Sequence, residues 1–360
     1  VDEINNNNID GSSNSSTTSS SSSSSSTSRR KKRRKNKVDN NNNNVSTDLS
    51  VGARELMMNG FVHLVNDDNY DSGIFIPLKY HKSSKNPLNE LKILISFIGI
   101  FLRLNPTVIF NFTIKNNIYG SLASFLTGKK VVNNITGLGS AMLKPSITRT
   151  IILLLYKIIK NIPHHTFCQN NDDLKYLKDR RLVNPLKVSL LPGSGVDTTF
   201  FHPKYKCVDG KSFTFIFVGR IIKDKGFVEL IHSFKKLLND LPEAKLEIVG
   251  SIDLSNPSGL TNSEVKKLCN NKNIILHGQQ KNVREFLSKA NCFVLPSYRE
   301  GLPRSMLEAM AMEIPIIATN VPGSRELIVD DYNGLLCEPS SEQSLYKAMK
   351  KMINLNDDVK

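Results

Sequence analysis

Cysteine is scarce in this chain, and the five that occur, Cys168, Cys207, Cys269, Cys292 and Cys337, lie far apart with no C-x-x-C spacing. That excludes a dense disulfide frame and a cysteine zinc site, and fits buried thiols of a reducing compartment. Long hydrophobic runs are also missing. The longest, Leu94 to Leu102 and Ile151 to Ile159, fall short of the ~20 apolar residues that a membrane-crossing helix needs. No secretory leader is read in a chain that opens on Val1. Aromatic residues are absent from the basic run Arg29 to Lys37, so nothing there can stack on bases. A solvated charge block is the plainer reading of that run; a nuclear-localisation or nucleic-acid patch is the sharper one.

What is present divides near residue 48. The Asn run at 5–8, the Ser run at 19–26 and the Asn run at 40–44 bury too little apolar surface to offset the entropy of ordering. A disordered, low-complexity tail over 1–48 is expected, followed by roughly 310 residues, enough for two domains. The whole chain carries a net charge of +15, and residues 1–49 hold eight Lys/Arg against five acidic residues. Most of the positive excess therefore belongs to the folded part, which suits anionic partners: phosphorylated ligands, an acidic membrane surface or nucleic acid.

From Phe213 onward, short apolar runs alternate with helix-like stretches. Strands are expected at Phe213 to Val218, Leu246 to Val249, Asn273 to His277, Cys292 to Leu295, Ile314 to Ala318 and Gly334 to Cys337. Helices are expected at about Gly226 to Asn239, Ser263 to Cys269, Val283 to Ala290, Arg304 to Met312, Ser324 to Val329 and Glu342 to Met352. Such alternation means a parallel sheet covered on both faces. A weaker array precedes it, with strands at Phe61 to Val65, Val108 to Asn111, Val131 to Asn133, Thr166 to Gln169 and Val188 to Leu190. Its helices fall near Val51 to Met58, Leu88 to Leu104, Asn117 to Leu126, Ile147 to Lys160 and Asp172 to Lys178. The expected architecture is two α/β doubly wound domains, 49–200 and 201–360, facing each other across a cleft. Ligands of open α/β sheets bind beyond the carboxyl ends of the strands, so the loops there are the places to look.

Two such loops stand out. Gly219 to Gly226, GRIIKDKG, puts Arg220 and Lys225 beside a helix start, where cations are disfavoured unless an anion completes the site. That composition suits a diphosphate, with Arg binding as a fork and Lys as a point charge; ordinary exposed basic residues are the bland alternative. Pro296 to Glu308, PSYREGLPRSMLE, holds Glu300 and Glu308 with seven residues between them, around a Gly301-Leu302-Pro303 turn at a helix start. Two carboxylates there can grip hydroxyls, although two solvated glutamates would look the same in sequence.

Taken in order, ITGLGS at 135–140, LPGSGVD at 191–197, GRIIKDKG at 219–226, PSYREGLPRSMLEAM at 296–310 and VPGSRELI at 321–328 resemble the retaining glycosyltransferases of family 4, also called group 1. The resemblance runs from about Val51 to Lys360. It implies the GT-B fold, two Rossmann-like domains, and a nucleotide-sugar donor, most naturally a UDP-sugar. Carried over by position, it implies that Arg220 and Lys225, next to Gly219, neutralise the donor diphosphate and stabilise it as it leaves. Glu300 with the Gly301, Leu302 and Pro303 amides would hold the donor sugar and its phosphate, and Glu308 the ribose hydroxyls. Thr136 to Ser140, including Gly139, would line the opposite wall. No D-x-D sequence and no metal-ligand cluster is read, so a metal-independent hexosyl- or N-acetylhexosaminyltransferase without a cofactor is expected.

The acceptor implied is a glycan, in one branch of the family a lipid-diphosphate-linked one. Lys144, Arg149, Lys157 and Lys160 surround the apolar Ile151 to Leu155, as a helix lying on a membrane would require; two buried helices, this one and Leu91 to Leu104, are the competing reading. His164 and His165 are weak candidates for acceptor contact. Against the family pattern, the first strand and Gly loop of the first domain and the last helices after Lys360 have no counterpart. Two rival functions follow: a catalytically inactive GT-B-like binding protein or fragment whose basic tail contacts nucleic acid, and a glycogen or starch synthase-like enzyme. The expected location is cytoplasmic, peripheral on a membrane, with a nuclear address conceivable only through Arg29 to Lys37.

Overall fold

The computed structural model describes residues 86–139, 142, 145–208 and 212–357. The tail with its basic run, the helix at 51–58, the strand at 61–65 and the expected lack of a first strand all lie outside those residues.

The first lobe is built from α1 (Pro87–Leu104), β1 (Val108–Phe112), α2 (Ile114–Thr127), β2 (Lys130–Ile135), α3 (Ile147–Ile159), β3 (His165–Cys168), α4 (Asn171–Asp179) and β4 (Val188–Leu190). Its four described strands are all parallel in the order β1-β2-β3-β4. Caps explain where the helices begin. Asn86 accepts from the Leu88 N–H ahead of Pro87, Ser146 from Arg149 and Asn170 from Asp173, each satisfying an amide that the helix itself leaves unpaired. Ile118, Ile135, Leu138, Tyr156, Ile159, Cys168 and Leu177 form its core. Under β1 and β2 that core is polar. Asn111 donates to Asn133, which donates to Ser121, all three buried. Gly120 makes the room, since a Cβ there would overlap the Asn111 amide.

The second lobe continues with β5 (Thr214–Val218), α5 (Phe227–Leu237), β6 (Lys245–Val249), α6 (Asn262–Leu268), β7 (Ile274–Gly278), α7 (Arg284–Leu287), β8 (Cys292–Leu295), α8 (Arg304–Ala311), β9 (Ile316–Thr319), β10 (Gly334–Cys337) and α9 (Glu342–Asp357). Its six strands are parallel in the order β7-β6-β5-β8-β9-β10. Strands β5, β8 and β9 are buried along their whole length, which is why they read as unbroken apolar runs. Phe215, Phe217, Phe227, Phe234 and Phe293 dominate the core around them.

Two expectations need correction. Ser324 to Val329 is a series of turns, not a helix. Gly323, at φ 84°, packs so closely on the Gly301 carbonyl that a Cβ would overlap it, and Asn333 takes up the Val329 N–H that a continuing helix would have used. The strand expected from Ile314 starts at Ile316, because Pro315 has no N–H for the ladder. No described helix is long and apolar enough to cross a membrane.

Candidate active site

In the second sheet the chain order reverses between β5 and β8, which are neighbours although three helices and two strands separate them in sequence. The loops leaving these two strands are Gly219–Gly226 and Pro296–Pro303, so both motifs fall at the switch point where such sheets bind ligands. The loops are joined directly. Tyr298 N–H donates to Asp224 O at 2.9 Å, and Lys225 Nζ lies 2.5 Å from Glu300 Oε1. Gly226 has φ 66°, and a Cβ on it would overlap the Pro296 carbonyl. Tyr298 Oη donates to Glu229 Oε1 at 2.6 Å. Burial, then that bond to a carboxylate, push the phenol up to about 12, so it is a donor at neutral pH.

Arg220 turns toward the loop after β6, where its Nη1 lies 2.9 Å from Asp253 Oδ2. Burial raises the Asp253 carboxyl, but hydrogen bonds from Ser255 and Arg220, with the Arg220 charge, outweigh it and hold the group below the usual carboxylate value. The carbonyl of Gly219 abuts Gly250, whose missing Cβ allows that approach. Glu308 is wholly buried inside α8, with Arg304 Nε 3.3 Å from its Oε1. Pro303 is the N-cap of α8, and no side chain caps that helix. One correction is chemical: Pro303 has no N–H, so the Gly301 and Leu302 amides and the first turn of α8 are the donors this strap can offer.

The wall contributed by the first lobe follows β2. Gly137, at φ 119°, packs against Gly301, its would-be Cβ 3.0 Å from the Gly301 N and Cα. Gly139, at φ 62°, comes next, beside Ile114. Leu302 packs onto Gly193 of the LPGSGVD segment. Residues that the motifs do not announce complete the junction. Asn170 donates to Gly301 O at 2.9 Å, Asp173 pairs with Arg299, and Glu326 accepts from the backbone and side chain of Asn171 at 2.7 and 3.1 Å. The N-cap pattern Asn170 to Asp173 signals a helix start but not its partners. His165 bonds Ser189 at 2.7 Å within the sheet, and His164 is exposed; neither reaches the loops described above.

Two Rossmann-like lobes whose strand-end loops meet, as Gly137 meets Gly301 and Leu302 meets Gly193, are the layout of the GT-B fold. Residues 200–360 match the family described as "Glycosyl transferases group 1". The chain is 28% identical to the capsular polysaccharide biosynthesis glycosyltransferase CapM of Staphylococcus aureus, over 81% of this chain and 80% of that one. It is 26% identical to the UDP-Gal:alpha-D-GlcNAc-diphosphoundecaprenol alpha-1,3-galactosyltransferase of Escherichia coli, over 75% and 72%. Among solved structures, Anabaena HepE in complex with UDP and glucose superposes with a TM-score of 0.63 at 16% identity, over 78% of each chain. Residues 200–360 belong to the group 1 glycosyltransferases, and the chain has the GT-B fold.

Proposed function

We propose that this glycosyltransferase takes a hexosyl or N-acetylhexosaminyl group from a UDP-sugar and places it, with retention, on a hydroxyl of a lipid-diphosphate-linked glycan, without a metal. The carrying observation is the Lys225–Glu300 pair that joins the loops after β5 and β8 at the switch point of the second sheet, with Arg220 in the first of these loops and paired to Asp253. As the bond from the anomeric carbon to the diphosphate breaks, its electron pair stays on the phosphate oxygen. The acceptor oxygen bonds to that carbon from the same face, and its proton passes to the departing phosphate. Arg220 and Lys225 stabilise this growing charge more than the ground state, each charge-assisted contact being worth about 1.5–3 kcal/mol. No carboxylate is assigned as a covalent nucleophile. Glu300 with the Gly301 and Leu302 amides orients the sugar and its phosphate, and Glu308 holds the ribose hydroxyls.

The lipid-linked acceptor is supported by the name of the Escherichia coli relative and by the surface of the first lobe. Helix α3 exposes Ile147, Ile151, Leu154 and Ile158 along one stripe, with Lys157 also exposed. Helix α1 exposes Leu88, Leu91, Ile95 and Leu102. Such faces suit peripheral contact with an anionic bilayer. In vesicle flotation, Ile151→Ser with Leu154→Ser is expected to release the protein from anionic membranes. For the enzyme itself, calorimetry with UDP and UDP-sugars, and transfer assays on a diphosphate-lipid sugar with Glu308→Ala, are decisive. Absent binding together with an unchanged rate in that variant overturns the proposal.

A further inference from the structure

The Glu300 strap is held from outside its own lobe. Arg299, immediately before Glu300, pairs with Asp173, a wholly buried carboxylate in the first turn of α4 in the first lobe. Asn170, also wholly buried, uses one side-chain amide three ways. Its Oδ1 caps the Asp173 N–H at 2.8 Å, while its Nδ2 donates to Asp173 Oδ2 at 3.1 Å and to Gly301 O at 2.9 Å. Thus the residues on either side of Glu300 are both bonded to one helix start of the opposite lobe. Around them, Gly301 sits against the Thr136 carbonyl and Gly323 against the Gly301 carbonyl, so closely that neither tolerates a Cβ. Asn171 with Glu326, and Asp172 with Arg325 at 3.4 Å, continue the junction.

We infer that Asp173 and Arg299 are positioning residues: their interlobe pair, with Asn170, sets where the Glu300 carboxylate stands and so governs recognition of the donor's sugar, while recognition of its nucleotide is left to the second lobe. The inference rests on the proposed nucleotide-sugar reading of the site. A buried carboxylate without its cation is strongly disfavoured, so the pair holds one arrangement of the lobes in which Glu300 keeps its partner Lys225. In the other direction, the sugar's hold on Glu300 is transmitted to the first lobe through the adjacent Arg299.

The test separates sugar from nucleotide. Calorimetry is run with UDP and with UDP-glucose, UDP-galactose and their N-acetylhexosamine counterparts, on the unaltered protein, Arg299→Gln, Arg299→Lys and Asp173→Asn. Arg299→Gln and Asp173→Asn are expected to bind UDP within about twofold of the unaltered protein and to lose about tenfold of the extra affinity for the preferred UDP-sugar, with Arg299→Lys recovering part of it. In a Glu300→Gln background, Arg299→Gln is expected to cost less than about twofold more, because the clamp acts through Glu300. Equal weakening of UDP and UDP-sugar, or losses that multiply in the double variant, overturns the positioning role. Unaltered protein that binds no UDP, or binds UDP-sugars no better than UDP, overturns the underlying site assignment instead.

Discussion

Lys225 Nζ and Glu300 Oε1 stand 2.5 Å apart, tying the loop after β5 to the loop after β8. The ammonium is thus held by a carboxylate, and Glu300 is largely shielded from solvent. On the proposed reading of the site, a donor that brings two phosphates would compete with Glu300 for Lys225 and free the carboxylate to turn toward the sugar.

Lys225→Ala should therefore cut kcat/KM for sugar transfer by about 10- to 150-fold, the equivalent of one charge-assisted contact. Steady-state rates with a UDP-sugar and a diphosphate-lipid acceptor measure it. A loss under about threefold would show that Lys225 does not meet the leaving group.

Gly226 and Gly128 share nearly the same left-handed backbone, φ 66° and 67°, in opposite surroundings. At Gly128 a Cβ meets open space, whereas at Gly226 it overlaps the Pro296 carbonyl. Gly128→Ala should cost about 1–2 kcal/mol of stability and Gly226→Ala roughly 1–3 kcal/mol more. Thermal unfolding of the two variants side by side gives the comparison; equal melting temperatures would contradict the close packing of the two loops.

Folding lowers the Asp253 carboxyl, through Ser255 and Arg220 acting against the effect of burial. Its stabilising contribution is complete above the unfolded Asp value of about 3.9 and drains away as pH falls through the lower folded value. Urea midpoints of the protein and of Asp253→Asn should differ at neutral pH and converge in strong acid. A gap that persists undiminished at about pH 2 would mean that the Asp253 charge is not its source.

Thiol reactivity should single out Cys207, the exposed cysteine. Cys168 and Cys337 are pushed up to about 12 and Cys269 to about 11, in each case chiefly by burial, and burial in its strand raises Cys292 well above the ordinary thiol value. With an aromatic disulfide reagent at pH 8, one fast equivalent is expected in the native protein and the other four after unfolding. Two or more fast equivalents would contradict the burial of the other four cysteines.

Much of the second lobe was legible from residue order alone. Strands β5, β8 and β9 sit in the middle of a doubly covered sheet, so burial demands unbroken apolar runs, and Cys292 to Leu295, like the edge strand Gly334 to Cys337, could be bounded to the residue. The loops GRIIKDKG and PSYREGLPRSMLE were readable because their glycines, charges and helix starts are local features. The segment 324–329 misled, since its apolar spacing imitates a helix while a contact between Gly323 and the Gly301 carbonyl keeps it in turns. Only the folded chain could decide which groups meet across distance. Arg299 and Asp173 are 126 positions apart, Asn170 and Gly301 131, and Arg220 and Asp253 33. Nothing in the periodicity around an arginine names the carboxylate it will find. Local propensity and burial pattern determine strands, helices and loop chemistry, but the packing of loops, within the second sheet for Arg220 and between the two sheets for the Glu300 strap, selects the partners that hold them in place.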